Sequence, residues 1–298
     1  MNIRHLFRRA LTALGLAAAS IAATPAAAQT ARPALWKVSD PDTTIYLFGT
    51  IHLLPPGLKW QSQAVDSAIA SSRELVVETL IDEKNPMPAV SAMFSLGTSP
   101  NLPPLLDRVP AKKRARLAEL IKQSGRPAAE FDRLETWLAG IMLFQMQFPE
   151  LGLDPKSGVE LNLKSAFSGA NKPIGQLESP AEQFGFFDRL PEKSQRSFLE
   201  GVLDDPKNAK GLLDKMIASW ASGDTKSMGA VFNGELKKDR ALKSALLDQR
   251  NANWTRWIED RLGQPGTVMV AVGAGHLVGD TSVVRLLEKR GFKVTRLQ

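Results

Sequence analysis

Two apolar runs near opposite ends of the chain finish in the same way. Ile45-Tyr46-Leu47-Phe48 leads into Gly49-Thr50-Ile51-His52, and Val268-Met269-Val270-Ala271-Val272 leads into Gly273-Ala274-Gly275-His276. Short apolar runs bounded by glycine read as buried strands. Each delivers one imidazole just past its C-terminal end, and 224 residues separate the two. Ligand crevices in α/β sheets lie outside the carboxyl ends of the strands. The pattern therefore asks for a fold that brings both ends of the chain to one sheet, with both histidines in one cleft. Glycine is about 7% of average residues, so two unrelated histidines share this frame about once in 200 cases.

Residues 1–28 read as a secretory signal peptide. Arg4, Arg8 and Arg9 form a basic start, residues 10–23 are apolar and uncharged, and Ala26-Ala27-Ala28 offers a cleavage site before Gln29. The apolar run is shorter than the roughly 20 residues a spanning helix needs. Cleavage lowers the formal charge from +7 to +4 and leaves His52 and His276 as the histidines of the mature chain. The expected location is periplasmic, with no integral membrane segment after cleavage. So mild a charge on an exported chain argues against nucleic acid as a partner. The absence of cysteine excludes disulfides, thiolate nucleophiles and thiolate metal sites.

Along the mature chain, strands are expected at 35–38, 45–48, 75–78, 172–178, 267–272 and 292–296, and the first two form a hairpin across Asp40-Pro41-Asp42. A helix over 60–72 completes a β-loop-α-β unit at the start, and a helix over 282–290 completes a second at the end. From 85 to 149 the pattern is helical. It includes an amphipathic helix over 110–124, whose Lys112, Lys113, Arg114 and Arg116 form either a solvated face or a contact for anionic lipid or polysaccharide. A helix then runs from Pro127 to Phe148. Another over 158–167 carries Glu160 and Lys164, and about five more lead to Leu262. The fold class is α+β with α/β-like ends: a central mixed sheet, βαβ units at both termini, and a large helical insertion between them. No linker is visible, so residues 29–298 read as a single domain.

Glu78 and Glu178 also end apolar strands. Two histidines with one or two carboxylates make a ligand set for a divalent cation, with an open position for a water whose pKa the metal lowers. Nitrogen and oxygen ligands without sulfur suit Zn, Mn, Co or Fe. The glycines Gly49, Gly273 and Gly275 are expected to supply unusual backbone angles at the strand edge. No H-E-x-x-H and no G-x-S-x-G occurs, and the last gap of Gly273-Ala274-Gly275-His276-Leu277-Val278-Gly279 is one residue too long for a dinucleotide loop.

The segments LWKVSDPDTTIYLFGTIHLLP, ELVVET, KPIGQLES, RNANW and AVGAGHLVGD together resemble the TraB/PrgY/GumN family, closest to its bacterial GumN-like branch. The resemblance covers nearly the whole mature chain. The broader group includes the Tiki metalloproteases and is similar to the erythromycin-esterase and ChaN-like folds. The resemblance implies a compact α+β fold with His52, His276 and Glu78 as metal or catalytic residues, and places Glu160, Glu178, Arg250 and Asn251 in further family-like segments. The expectation is a metal-dependent hydrolase, a peptidase acting on a peptide or small-molecule substrate. In it Glu178 or Glu160 serves as general base or extra ligand, Asn251 and Glu160 face substrate, and Arg250 stabilises negative charge. Arg250 equally suits a structural ion pair, and Glu178 and Gln183 suit a structural role at the strand-helix turn. The alternatives are a non-catalytic binder of a peptide, haem-like or polysaccharide-related ligand, and a metal-free hydrolase using one histidine as general base.

Overall fold

The computed structural model describes residues 31–82 and 84–298, so the expected signal peptide lies outside the described residues. The strands are β1 (Leu35–Ser39), β2 (Thr43–Thr50), β3 (Glu74–Val77), β4 (Ile174–Gln176), β5 (Gly266–Gly273) and β6 (Val294–Arg296). They form one sheet in the order β4-β3-β5-β2-β1-β6. The four strands β4, β3, β5 and β2 are mutually parallel, while β1 runs antiparallel to both β2 and β6. The sheet is therefore mixed, as expected. The hairpin between β1 and β2 turns where Asp40 Oδ1 accepts from the Asp42 and Thr43 amides. This is an Asx turn, the local geometry that Asp favours.

Helix α1 (Gln63–Ser71) joins β2 to β3 and starts at Ser62, whose hydroxyl accepts from the Val65 amide. Between β3 and β4 lie α2 (Met87–Gly97), α3 (Ala111–Gln123), α4 (Ala128–Asp132), α5 (Thr136–Gln145), α6 (Phe148–Leu151) and α7 (Val159–Gly169). Between β4 and β5 lie α8 (Pro180–Asp188), α9 (Glu192–Val202), α10 (Pro206–Ala221), α11 (Thr225–Leu236), α12 (Arg240–Lys243) and α13 (Gln249–Leu262). Finally α14 (Val283–Lys289) joins β5 to β6. Among the described residues, no helix is long and apolar enough to cross a membrane.

The strand cores are Ile45, Leu47 and Phe48 on β2, Leu75 to Val77 on β3, and Val268 to Val272 on β5, all 2% exposed or less. Parallel strands covered on both faces need such continuous apolar runs. This is why the sequence marks them so plainly. A second apolar cluster lies under α3, α5 and α9, around Leu117, Leu120, Trp137, Leu138 and Leu199.

The helix expected over 127–148 is broken into two, α4 and α5, and α6 starts at its last residue. Leu134 leaves the helical path to bridge Thr98. The Arg108 guanidinium collects the freed carbonyls, with Nη2 donating to Asp132 O at 2.6 Å and Nη1 to Leu134 O at 2.6 Å. Satisfying those carbonyls removes the cost of leaving the helix. The basic face of α3 is largely occupied within the chain: Lys113 pairs with Asp204, Arg114 with Asp107, and Arg116 with Glu150.

Candidate functional site

Parallel pairing of β2 with β5 sets Gly49 opposite Val272 and Thr50 opposite Gly273. The matched sequence frames are thus offset by one residue, and the two histidines come to different environments. The His52 side chain is 64% exposed. His276 lies in a short 3₁₀ turn over Ala274–Leu277 and is buried.

The glycines serve close approach rather than unusual angles. Gly49, Gly273 and Gly275 are not among the residues with positive φ. A Cβ on Gly49 would come within 3.0 Å of Ala274 Cα, and one on Gly275 within 2.8 Å of the Phe232 ring. Glycine at 49 thus lets the β2 end lie against the His276 turn without displacing Ala274, and glycine at 275 leaves room for the Phe232 ring.

At the mouth of the cleft, His52 Nδ1 lies 2.8 Å from Glu160 Oε1. Glu160 is in the first turn of α7, and the Thr50 hydroxyl donates to the same carboxylate oxygen. The α7 N-terminus is itself pinned to the histidine loop, with the Val159 amide donating to Ile51 O at 3.1 Å. Crowding around the ring opposes protonation of His52. The Glu160 carboxylate more than offsets that and raises its pKa to about 9.

Behind the cleft is a buried cluster centred on Arg250, near the start of α13. A π-helical turn over Ser244–Asp248 precedes that helix. Arg250 Nη2 donates to Glu78 Oε2 at 2.6 Å and to Glu178 Oε2 at 2.9 Å. Its Nε lies 3.0 Å from each oxygen of Glu178, and its Nη1 lies 3.3 Å from His276 Nε2. Trp254 Nε1 donates to Glu178 Oε1 at 2.9 Å, and the indole packs on His276 with ring centres 4.3 Å apart. Glu78 Oε1 accepts from the Gly273 amide at 2.7 Å, and Oε2 accepts a weaker bond from Gln183 at 3.3 Å. The Glu178 amide donates to Glu78 O, which locks the two strand ends together.

The charges follow from this arrangement. Burial opposes ionisation of Glu78, but Arg250 and the Gly273 amide win and hold its pKa down at about 2. One guanidinium shared by two carboxylates cannot compensate both fully. Burial therefore pushes Glu178 upward. His276 is kept neutral, since burial lowers its pKa to about 3. Its tautomer follows from its partners. Asn251 Nδ2 donates to Thr281 O, so Asn251 Oδ1 faces His276 and accepts from Nδ1–H at 2.6 Å. Nε2 is then the acceptor for Arg250.

The sheet thus brings His52, Glu78 and Glu160 to an open cleft of about 310 Å³, lined also by Thr79, Ile81 and Gln183. His276, Glu178 and Arg250 stand behind Glu78. Asn251, 1% exposed, orients His276. The connecting role of Trp254 was not visible in the sequence, where it is one of several tryptophans on a helix. Its spacing four residues after Arg250 is the signal that it shares that helix face.

A metal on His52, His276 and Glu78 does not fit this arrangement. Among the described residues no group of three His, Asp or Glu side chains can hold a metal ion. The positive charge facing Glu78, Glu178 and His276 Nε2 is the Arg250 guanidinium, and a cation there would meet it at close range. His52 is turned to Glu160 instead.

A family model described as TraB/PrgY/gumN matches residues 34–296. The chain is 26% identical to the YbaP protein of Escherichia coli over 203 residues, covering 66% of this chain and 75% of that one. It is 23% identical to a Treponema pallidum protein over 270 residues, covering 86% and 80%. It is 23% identical to a protein of Amphimedon queenslandica named as a metalloprotease TIKI homolog, over 316 residues, covering 88% of this chain and 61% of that one. No solved structure matches the chain.

Proposed function

This chain belongs to the TraB/PrgY/gumN family, and on that premise we propose that it is a hydrolase of peptide-like acyl bonds whose proton-transfer residue is His52. One observation carries the reading: the ring is 64% exposed at the cleft while its Nδ1 is tied to Glu160 at 2.8 Å. A carboxylate bond at Nδ1 fixes the ring and leaves Nε2 as the nitrogen that meets a substrate. The same carboxylate stabilises the imidazolium. In its neutral form Nε2 takes a proton from water as the water oxygen bonds to the acyl carbon. In its protonated form it gives that proton to the leaving nitrogen or oxygen as the acyl bond breaks. With its pKa raised to about 9, the ring is mostly protonated at neutral pH, so cleavage should rise with pH as the neutral form that accepts the proton from water grows. The distant relative whose name marks it as a metalloprotease supports hydrolysis and a peptide substrate. That name also supports a metal, but the arrangement around Arg250 does not fit one, and no step here is routed through it. The signal-peptide pattern of residues 1–28 supports an exported, periplasmic protein, with residues 29–298 as one domain.

The test is a peptide library of defined sequences incubated with the purified protein in ¹⁸O-labelled water, with products read by mass spectrometry. The expected result is cleavage with label in the new carboxyl group, lost in His52→Asn and reduced in Glu160→Gln by about 10²-fold or more, the usual weight of acid–base catalysis. Absence of any cleaved product, or undiminished cleavage by His52→Asn, would overturn the reading.

A further inference from the structure

The cleft that holds His52 also holds an apolar side chain that the core does not use. Ile81 is 44% exposed and lines the cleft together with His52, Val77 and Gln183. Leu80 beside it packs against the sheet core, whereas Ile81 joins neither apolar cluster of the described residues. Its place is set from both sides. The Leu80 amide donates to Gln176 Oε1 at 2.8 Å, and Asp82 Oδ1 accepts from the Lys84 amide at 2.9 Å in an Asx turn. A single apolar side chain on an open surface needs no explanation. One held in a concavity beside a reactive group is different, because a ligand there removes it from water.

The charges around Ile81 point the same way. Glu160 accepts from His52 and Thr50, and Glu78 accepts from Arg250 and the Gly273 amide. A basic substrate side chain would find both cleft carboxylates taken, and would meet Lys164 and the protonated His52. An acidic one would stand beside Glu78 and Glu160. A side chain of either sign therefore meets a like charge, and a neutral apolar one does not. A cleft of about 310 Å³ is at the small end for a ligand site, with room for about two residues of a peptide. A side chain resting on Ile81 thus belongs to a residue next to the bond at His52.

We infer that Ile81 is a specificity-determining residue, which receives the apolar side chain of the substrate residue flanking the bond that His52 acts on. This rests on the hydrolase reading above and deepens it by naming the substrate class: peptides with a large neutral residue, such as leucine or phenylalanine, at that position.

The experiment takes the library peptide that the purified protein cleaves and remakes it with Ala, Leu, Phe, Lys or Glu at each position flanking the cut. Leu and Phe should exceed Ala in kcat/KM by roughly 10-fold at one of these positions, with Lys and Glu below Ala. Ile81→Ala should cut the leucine-to-alanine ratio by roughly 5-fold, since it strips apolar surface from one wall. Ile81→Asp should raise the lysine peptide relative to the leucine peptide. An unchanged leucine-to-alanine ratio in Ile81→Ala would overturn the inference, whether or not the rates themselves fall. So would a wild-type preference for Lys or Glu at both positions. If the wild-type protein cleaves no peptide, the hydrolase reading fails by itself. N-acetyl-leucinamide and N-acetyl-alaninamide, titrated against wild type and Ile81→Ala with the His52 ring resonances followed by NMR, then decide the subsite. Tighter binding of the leucine amide by wild type, lost in Ile81→Ala, would uphold it. Equal binding of the two amides by wild type would overturn it.

Discussion

Replacing Arg250 with methionine is the sharpest probe of the buried cluster. Methionine keeps much of the side-chain volume but removes the charge. Glu78 and Glu178 are then left facing each other, their side chains 8% and 5% exposed, without the guanidinium that both accept from. Breaking a buried ion pair by removing one partner costs about 3–5 kcal/mol. The upper end applies here, because one deletion strands two carboxylates and removes the donor to His276 Nε2. At about 2–4 °C per kcal/mol for a chain of this size, the melting temperature should fall by roughly 10–20 °C. The pH dependence carries a definite sign. The Glu78 pKa is depressed in the folded protein, so its contribution is present above about 4.5 and is lost as pH falls toward about 2. In Arg250→Met the stranded carboxylates can relieve their repulsion by taking up protons. Without Arg250, burial and mutual repulsion raise their pKa values, so the gap between wild type and variant should narrow as pH falls from 7 to 4. Urea unfolding in chelator, followed by circular dichroism at pH 7 and pH 4, measures both effects. Adding Glu178→Gln to Arg250→Met should recover part of the loss, since only one buried carboxylate then remains. A loss under about 1 kcal/mol at pH 7, or no narrowing at pH 4, would refute the picture of Arg250 as the counter-charge of the cluster.

Other consequences can be checked one at a time. His52→Asn should lower the melting temperature by no more than about 4 °C, since it removes one partly exposed ion pair worth up to about 1 kcal/mol. A large drop in a thermal-shift scan would mean the ring is structural. Elemental analysis after dialysis should find no stoichiometric Zn, Mn, Co or Fe, and cleavage should survive excess chelator, because Arg250 faces the carboxylates that a cation would need. One tightly held equivalent of metal, lost in the His52→Ala/His276→Ala double variant, would reverse that conclusion. Asn251→Leu removes the acceptor for His276 Nδ1–H and should cost about 1–3 kcal/mol in denaturant unfolding, the penalty of an orphaned buried donor. Gly158→Ala places a methyl group against the His52 carbonyl oxygen. It should cost about 1–3 kcal/mol and shift the His52 ring resonances in NMR.

The strands β2, β3 and β5 were legible because each carries a continuous buried apolar run, and the histidines because they follow two of those runs. Glu78 and Glu178 were legible on the same ground. What they do was not. Whether two strand-end carboxylates meet a cation, a water or an arginine depends on where α13 docks, and no local pattern around Arg250 reports that. The same limit hid the split of the 127–148 helix. Its residues favour a helix throughout, and the break depends on Arg108, more than twenty residues upstream, reaching the carbonyls at Asp132 and Leu134. The expectation that Gly49, Gly273 and Gly275 serve special angles failed for a related reason. The crowding that excludes a side chain comes from Ala274, Glu78 and Phe232, which are partners in space.

The strand order has a consequence for how the protein is made. β5 lies between β2 and β3, yet it comes almost 190 residues after β3 in the chain. The first three strands can form only the β1–β2 hairpin and an isolated β3, each with an open edge. The central strand closes the sheet late and brings Gly273 and His276 with it. Long-range parallel pairing of this kind is slow and leaves edges exposed to other chains while it waits. A nascent chain cut short before residue 266 would therefore be both inert and prone to aggregate. The completed protein gains sheet and site in one event.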